Sequence, residues 1–399
     1  MLYKNIVRPI LFRLTRKDPE VAHEWAIDLL RAIGESKHVY RELKKYATVN
    51  DPRLSQKVFD LEFKNPVGLA AGFDKNGEVI DGLSALGFGF IEVGTITPYY
   101  QKGNDRPRMF RIPEDEALIN RMGFNNVGAD NVIRCIFILR KSTETLLGIS
   151  IGKSKTTPLE KAADDYIYAL RSLYDFGHYV VINISSPNTP GLRQLQDKQH
   201  FDQLLERINK EIVRLSMVYK NSPKPLLVKI APDISLDALD DVLEICERRS
   251  IGGIIAVNTT VSRDGLQTRG PTIEEAGGLS GRPLKMRSLE ILRHIYSRTE
   301  GNLPIIGVGG IFSAEDAYEM FKAGASLIQV FTGMIYEGPF IARNINRGLL
   351  KIFEREGIKH ISEINGRPSH KAMEAKGGKR NEKIGKCFIV RRQGCQPHY

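Results

Sequence analysis

The sequence predicts an α/β protein, a (β/α)8 TIM barrel preceded by a small N-terminal helical domain. Eight short apolar runs lie between residues 67 and 331, at 67–71, 90–93, 146–151, 179–184, 225–230, 253–257, 304–308 and 327–331. Each is near-continuous rather than alternating, as parallel strands buried on both faces must be. Helical patterns separate them, and most are followed by Gly, Asn, Lys, Ser or Thr, the strand ends where such barrels build their sites. A doubly wound open sheet would use the same strands, and strand count alone does not separate the two.

The chain divides into an N-terminal amphipathic helical segment over 1–46, a barrel over 47–366 and a basic tail over 367–399. In the first segment Ile6, Ile10, Leu11 and Leu14 recur at helical steps among Lys4, Arg8, Arg13, Arg16 and Lys17. A second helix starts at Asp18, because Asp accepts orphan amides at the N-cap, Pro19 pre-sets φ at N1 and Glu20 favours the first turn. Val21, Ala22, Trp25, Ala26, Leu29, Leu30 and Ile33 form its apolar face. Two readings of that face are open, packing against the main body or dipping into lipid headgroups. Long intervals at 96–145 and 258–303 hold more turn chemistry than a plain helix needs, so active-site loops or small excursions are expected there.

With 399 residues, 42% hydrophobic and 26% charged, the chain can bury a large core. Its net charge of +11 is unevenly spread, since residues 367–399 carry nine Lys or Arg against two Glu, a balance of +7, leaving only +4 on the other 366. That points to a solvated basic tail, disordered and without apolar period, and not to a nucleic-acid-binding body. Cys135, Cys246, Cys387 and Cys395 have neither metal-site spacing nor the density of a disulfide framework, so no metal and a reducing compartment are expected. No stretch reaches the roughly 18 to 20 apolar residues of a membrane span, and no secretory signal is visible.

The chemistry-bearing residues gather at the strand ends. Ala70 to Gly77 brings small residues and Lys75 after the first strand, Gly94-Thr95 repeats the theme, and Gly307 to Ile311 and Phe331 to Gly333 sit where barrels bind phosphate through backbone amides. Asn120 to Asn126, Asn183 to Asn188, Lys229 and Asn258 to Thr260 add asparagines and a lysine. Each asparagine presents two donors and an acceptor in fixed geometry, suited to a planar ligand with imide and carboxylate groups. Turn capping alone accounts for one or two of them.

The ordered motifs "NPVGLAAGFDKNGE", "IEVGTITP", "GNDRPRMFR", "INRMGFNN", "INISSPNTPGLR", "VKIAP", "GGLSGRPL" and "PIIGVGGI" resemble those of the class 2, quinone-linked dihydroorotate dehydrogenases over residues 1–366. The resemblance implies an FMN-containing barrel that oxidises dihydroorotate to orotate in pyrimidine biosynthesis and passes the electrons to a membrane quinone. It implies Ser186 as the catalytic base. Substrate contacts would come from Lys75, Asn120, Arg121, Met122, Gly123, Phe124, Asn183, Asn188, Asn258 and Thr259. Ala71, Gly72, Phe73, Asp74, Lys75, Thr95, Ser150, Asn183, Lys229, Val257, Gly281, Gly310, Phe331 and Thr332 would hold FMN, and His23 and Arg111 would line the quinone tunnel. Class 1 relatives, which use a soluble acceptor, place Cys at the base position and lack the N-terminal helices. Ser150, Val257 and Phe331 stand where relatives commonly have Asn, Thr and Tyr. A monomer held peripherally through residues 1–46 on the cytoplasmic face of the cell membrane is expected. A rival from another class is a degenerate barrel acting as a basic membrane- or nucleic-acid-binding protein, which should have lost the polar strand ends kept here.

Overall fold

The computed structural model describes residues 2–139, 145–189 and 191–364, so the expected basic tail at 367–399 lies outside the described residues. Eight parallel strands close into a barrel in chain order: β1 Val67–Leu69, β2 Phe90–Ile96, β3 Leu146–Ile151, β4 Tyr179–Asn183, β5 Leu226–Lys229, β6 Gly253–Ala256, β7 Ile305–Val308 and β8 Leu327–Val330. Closure rules out the open sheet. Every strand starts in one of the eight apolar runs, β2 alone continuing three residues past its run, and β1, β2, β4, β5, β6, β7 and β8 are buried throughout.

The registers sort the inward side chains into layers drawn from alternate strands, as barrel stagger requires. Gly68 pairs with Phe90, Glu92 with Gly148, Gly148 with Tyr179, Val181 with Leu227, Lys229 with Ile255 and Val308 with Gln329. Glu92, Val181, Ile255 and Gln329 therefore share one layer. Ala70, Ser150, Lys229 and Val308 form the next, and Asn183, Val257 and Phe331 stand at the C-terminal mouth. Deeper down the barrel needs glycine at 148, because a Cβ there would lie 2.2 Å from the Tyr179 ring that crosses it.

The two long intervals meet. Strands Met109–Ile112 and Ala117–Asn120 from the first pair antiparallel, and Gly278–Gly281 from the second adds to their edge. This three-stranded sheet lies by the barrel mouth, where Asn188 Nδ2 donates to the Asn120 carbonyl at 3.2 Å. A two-stranded ribbon, Gln56–Val58 with Leu61–Phe63, lies at the other end, and Phe63 packs edge-on against Phe90.

The N-terminal segment forms a π-turn at Tyr3–Val7 and helices α1 Arg8–Leu14, α2 Pro19–Glu35 and α3 Lys37–Ala47. Asp18 caps α2 as expected, accepting from the Glu20 amide at 3.0 Å. The contacts of α2 favour the packed reading for part of its face: Leu30 is buried, and its carbonyl lies where a Cβ on Gly82 would be. Trp25 and Leu29 stay exposed at 48% and 63%, which leaves an apolar strip outside. Beneath the helix the Arg108 guanidinium grips the Glu20 carboxylate with Nε and Nη2 at 2.8 and 2.7 Å, a largely buried two-point ion pair.

Candidate active site

One cavity of about 970 Å³ runs from the C-terminal mouth of the barrel to the apolar faces of α1 and α2, where it reaches the exposed Trp25 and Leu29. Its two ends differ in chemistry. The barrel end is walled by Lys75, Thr95, Asn183, Ser186, Asn188, Lys229 and Asn258, and the helix end by Leu11, Phe12, Ala22, Trp25, Ala26 and Leu29.

At the polar end, strand direction fixes the groups. Asn183, the last residue of β4, points inward, and its amide donates to Thr95 Oγ1 at 2.8 Å. Its Oδ1 accepts from Ser185 Oγ at 3.0 Å, and Asn258 donates to the same hydroxyl at 2.9 Å. Ser186 is 6% exposed, and its Oγ accepts the Asn188 amide at 3.2 Å. That N–H would stabilise negative charge developing on the oxygen. Lys75 reaches the cavity from the loop after β1, and burial, outweighing the pull of Glu20, lowers its pKa to about 8.

Most expected site residues line this cavity: Ala71, Gly72, Phe73, Lys75, Thr95, Asn183, Lys229, Val257, Gly281, Gly310, Phe331 and Thr332 among the cofactor set, and Asn120, Met122, Gly123, Phe124, Asn188, Asn258 and Thr259 among the substrate set. Three do not line it. Asp74 turns its carboxylate into its own loop, accepting the amides of Asn76, Glu78 and Val79. Arg121 points away, pairing with Glu275 at 2.6 Å and stacking over Phe110. Ser150 is fully buried one layer below the mouth, where its hydroxyl meets Thr95 Oγ1 at 3.1 Å, too short to reach past it.

The sequence reading passed over Ser185, Glu92 and Gln329. The last two carried a signal, since a carboxylate and an amide sit inside the runs "FIEV" and "LIQV", where parallel strands should be apolar.

At the apolar end, Arg111 Nη2 donates to the carbonyl and hydroxyl of Thr15 at 2.5 and 2.7 Å, while its Nη1 has no hydrogen-bond partner among the described residues. His23 faces Phe73 edge-on at 5.0 Å, and Phe73 in turn faces Phe331 at 6.4 Å, an aromatic chain between the two ends. Burial first and then Lys75 push the His23 pKa down to about 3. Its unfolded value is near 6.5, so between these limits only the unfolded chain takes up the proton, and stability present above pH 6.5 is lost as pH falls toward 3. Thermal midpoints of wild type should therefore drop more steeply over that window than those of His23→Gln. Parallel curves would show that His23 is not held neutral.

The model of the dihydroorotate dehydrogenase family matches residues 53–353. A protein of Chloroflexus aurantiacus named dihydroorotate dehydrogenase (quinone) is 50% identical over 351 residues, 88% of this chain and 96% of the relative. A Thermus thermophilus protein of the same name is 49% identical over 348 residues, 87% and 97% of the two chains. Among solved structures, that of DHODH from Eimeria tenella in complex with ferulenol superposes with a TM-score of 0.79 at 37% identity, covering 90% of this chain and 98% of its own. Matches of this extent, over a barrel whose polar strand ends converge on one cavity, place the chain in the dihydroorotate dehydrogenase family, on its quinone-linked branch.

Proposed function

We propose that this chain oxidises dihydroorotate to orotate in pyrimidine biosynthesis, with FMN as its cofactor and a membrane quinone as electron acceptor. The observation that carries the reading is the single cavity with a polar end and an apolar end, which suits a small polar substrate and a hydrophobic acceptor served in turn.

The residues present fit FMN. Gly281 and Gly310 line the cavity and admit no side chain, because a Cβ at either would come 2.4 Å from Glu116 O or Lys285 Cβ, so bare backbone meets the cavity there and a ligand can approach it closely. Around it stand a cation, Lys229, and the amide and hydroxyl of Asn183 and Thr95. When bound, FMN supplies the two-electron acceptor for the hydride leaving C6 of the substrate. Ser186 takes the C5 proton as its own hydroxyl proton passes to water, helped by the Asn188 amide that donates to its oxygen. Asn120, Asn183, Asn188, Asn258 and Thr259 orient the substrate ring, and Lys75 offers a positive charge to its carboxylate. The three-stranded sheet beside the mouth limits water. Phe331 contributes ring and no hydroxyl between the ends, while His23 and Arg111 receive the quinone.

The exposed Leu2, Ile6, Ile10, Leu14, Trp25 and Leu29 stand among the basic side chains of the N-terminal helices. That supports peripheral attachment through residues 1–46 to the cytoplasmic face of the membrane. Among the described residues no helix is long and apolar enough to cross a membrane.

The reading is tested on purified protein, which should be yellow, be bleached by dihydroorotate without oxygen, and regain colour on adding a short-chain quinone. Protein that stays colourless after flavin supplementation would overturn it. A further expectation follows from Lys75: above pH 8 it becomes neutral in the free enzyme, so kcat/KM for the anionic substrate should fall as pH rises through about 8. Lys75→Met should have lower kcat/KM throughout and lack that limb, and an unchanged limb in the variant would assign it to another group.

A further inference from the structure

We propose that Glu92, held by Gln329, is the counter-ion of Lys229 and keeps that lysine cationic at the floor of the cavity. The pairing stands on the fold alone, and its consequence for the flavin rests on the FMN reading above.

A carboxylate in the middle of a strand buried on both faces is costly unless a partner offsets its desolvation. Glu92 is fully buried in the layer directly beneath that of Lys229, which is itself 5% exposed. One oxygen of Glu92 accepts from Gln329 Nε2 at 2.7 Å, across the layer. The other oxygen, Oε1, has no hydrogen-bond partner among the described residues, and Gln329 Oε1 and Tyr179 Oη are in the same position. Burial pushes the Glu92 carboxyl up and the Lys229 ammonium down, and the charge of each opposes the shift of the other.

The surroundings leave Lys229 no other charged partner among the described residues. Its neighbours in register, Asn183 on β4 and Ile255 on β6, are uncharged. Tyr179, which faces Glu92 from below, is held neutral because burial raises its pKa well above the usual range. The backbone amide of Ala71 also favours the charged form of Glu92. Lys75, the other lysine on the cavity, answers instead to Glu20, Arg108, Asp74 and Glu78. Removing the carboxylate would leave Lys229 desolvated without compensation, so it would give up its proton at lower pH. A cation at this floor is what would stabilise charge on a reduced ring.

The test is Glu92→Gln in the full, flavin-loaded protein, with two readings. The first is the titration of Lys229 by NMR of carbon-13-labelled lysine, its signal assigned by its loss in Lys229→Met. It should move down by about one pH unit or more in Glu92→Gln and stay near the wild-type value in Glu92→Asp. The second is the flavin midpoint potential against pH, which should gain a downward break in Glu92→Gln where Lys229 loses its proton. An unmoved Lys229 titration overturns the proposal. A moved titration with no break in potential upholds the pairing and overturns instead the placement of the flavin beside Lys229. Should Glu92→Gln fail to fold, Glu92→Met, which removes the carboxylate and buries no amide in its place, should shift Lys229 in the same direction, and no shift there is equally fatal.

Discussion

Ser186→Ala should slow reduction of the bound flavin by dihydroorotate by about 10²- to 10⁴-fold, the usual worth of a positioned general base, while FMN stays bound. The expected size follows from the site. Ser186 stands just beyond the end of β4, and its Oγ accepts the amide of Asn188, a geometry that favours the deprotonated oxygen. Asn120, Asn183, Asn188, Asn258 and Thr259, which would bind the substrate, are untouched by the change, so dihydroorotate affinity should survive. The measurement is anaerobic stopped-flow at the flavin absorbance band with saturating substrate. An unchanged rate would move the base elsewhere, and a rate lowered only through weaker binding would make Ser186 a binding residue.

Glu20→Ala should destabilise the fold by about 3–5 kcal/mol, the cost of leaving one charge of a buried pair without its partner. Glu20 is 3% and Arg108 7% exposed, so little water can replace the lost carboxylate. Arg106 Nε also sits 3.2 Å from the same group and would lose part of its anchor. Urea unfolding at neutral pH checks the figure. A loss of only about 0–1 kcal/mol, typical of an exposed pair, would show that α2 is lightly docked. Replacing both partners by apolar residues, Glu20→Leu with Arg108→Met, should cost less than Glu20→Ala, because no buried charge is then orphaned. The same pair means that deleting residues 1–46 removes more than a docking surface for an acceptor. Loss of both half-reactions in such a deletion would follow from the exposed Arg108 alone, so point changes on the helix wall are the sharper probes.

The barrel was legible because its evidence is repeated. Eight apolar runs in one chain, most followed by Gly, Asn, Ser or Thr, leave few architectures, and motif order carried the family. Less legible was what depended on side-chain direction. Asp74 and Arg121 stand within motifs whose neighbours line the cavity, yet one serves its own turn and the other an ion pair with Glu275. Sequence position fixes which loop a residue belongs to but not which way a flexible side chain leaves it. Ser150 was placed on the correct strand, and only the layer stagger shows that it is overlain by Thr95. Nothing local announced that the intervals at 96–145 and 258–303 would join in one sheet, since antiparallel pairing between segments so far apart is settled by tertiary packing.

The central claim is that the two ends of one cavity serve two separate half-reactions. Ala22, on α2, lines the apolar end and stands away from Ser186 and Lys229, so Ala22→Phe is the direct test. With flavin bleaching by dihydroorotate and recolouring by quinone timed separately in stopped-flow, the first rate should match wild type and the second should fall. Equal loss in both rates, or recolouring at the wild-type rate with a bulky ring in that wall, would contradict the division of the cavity.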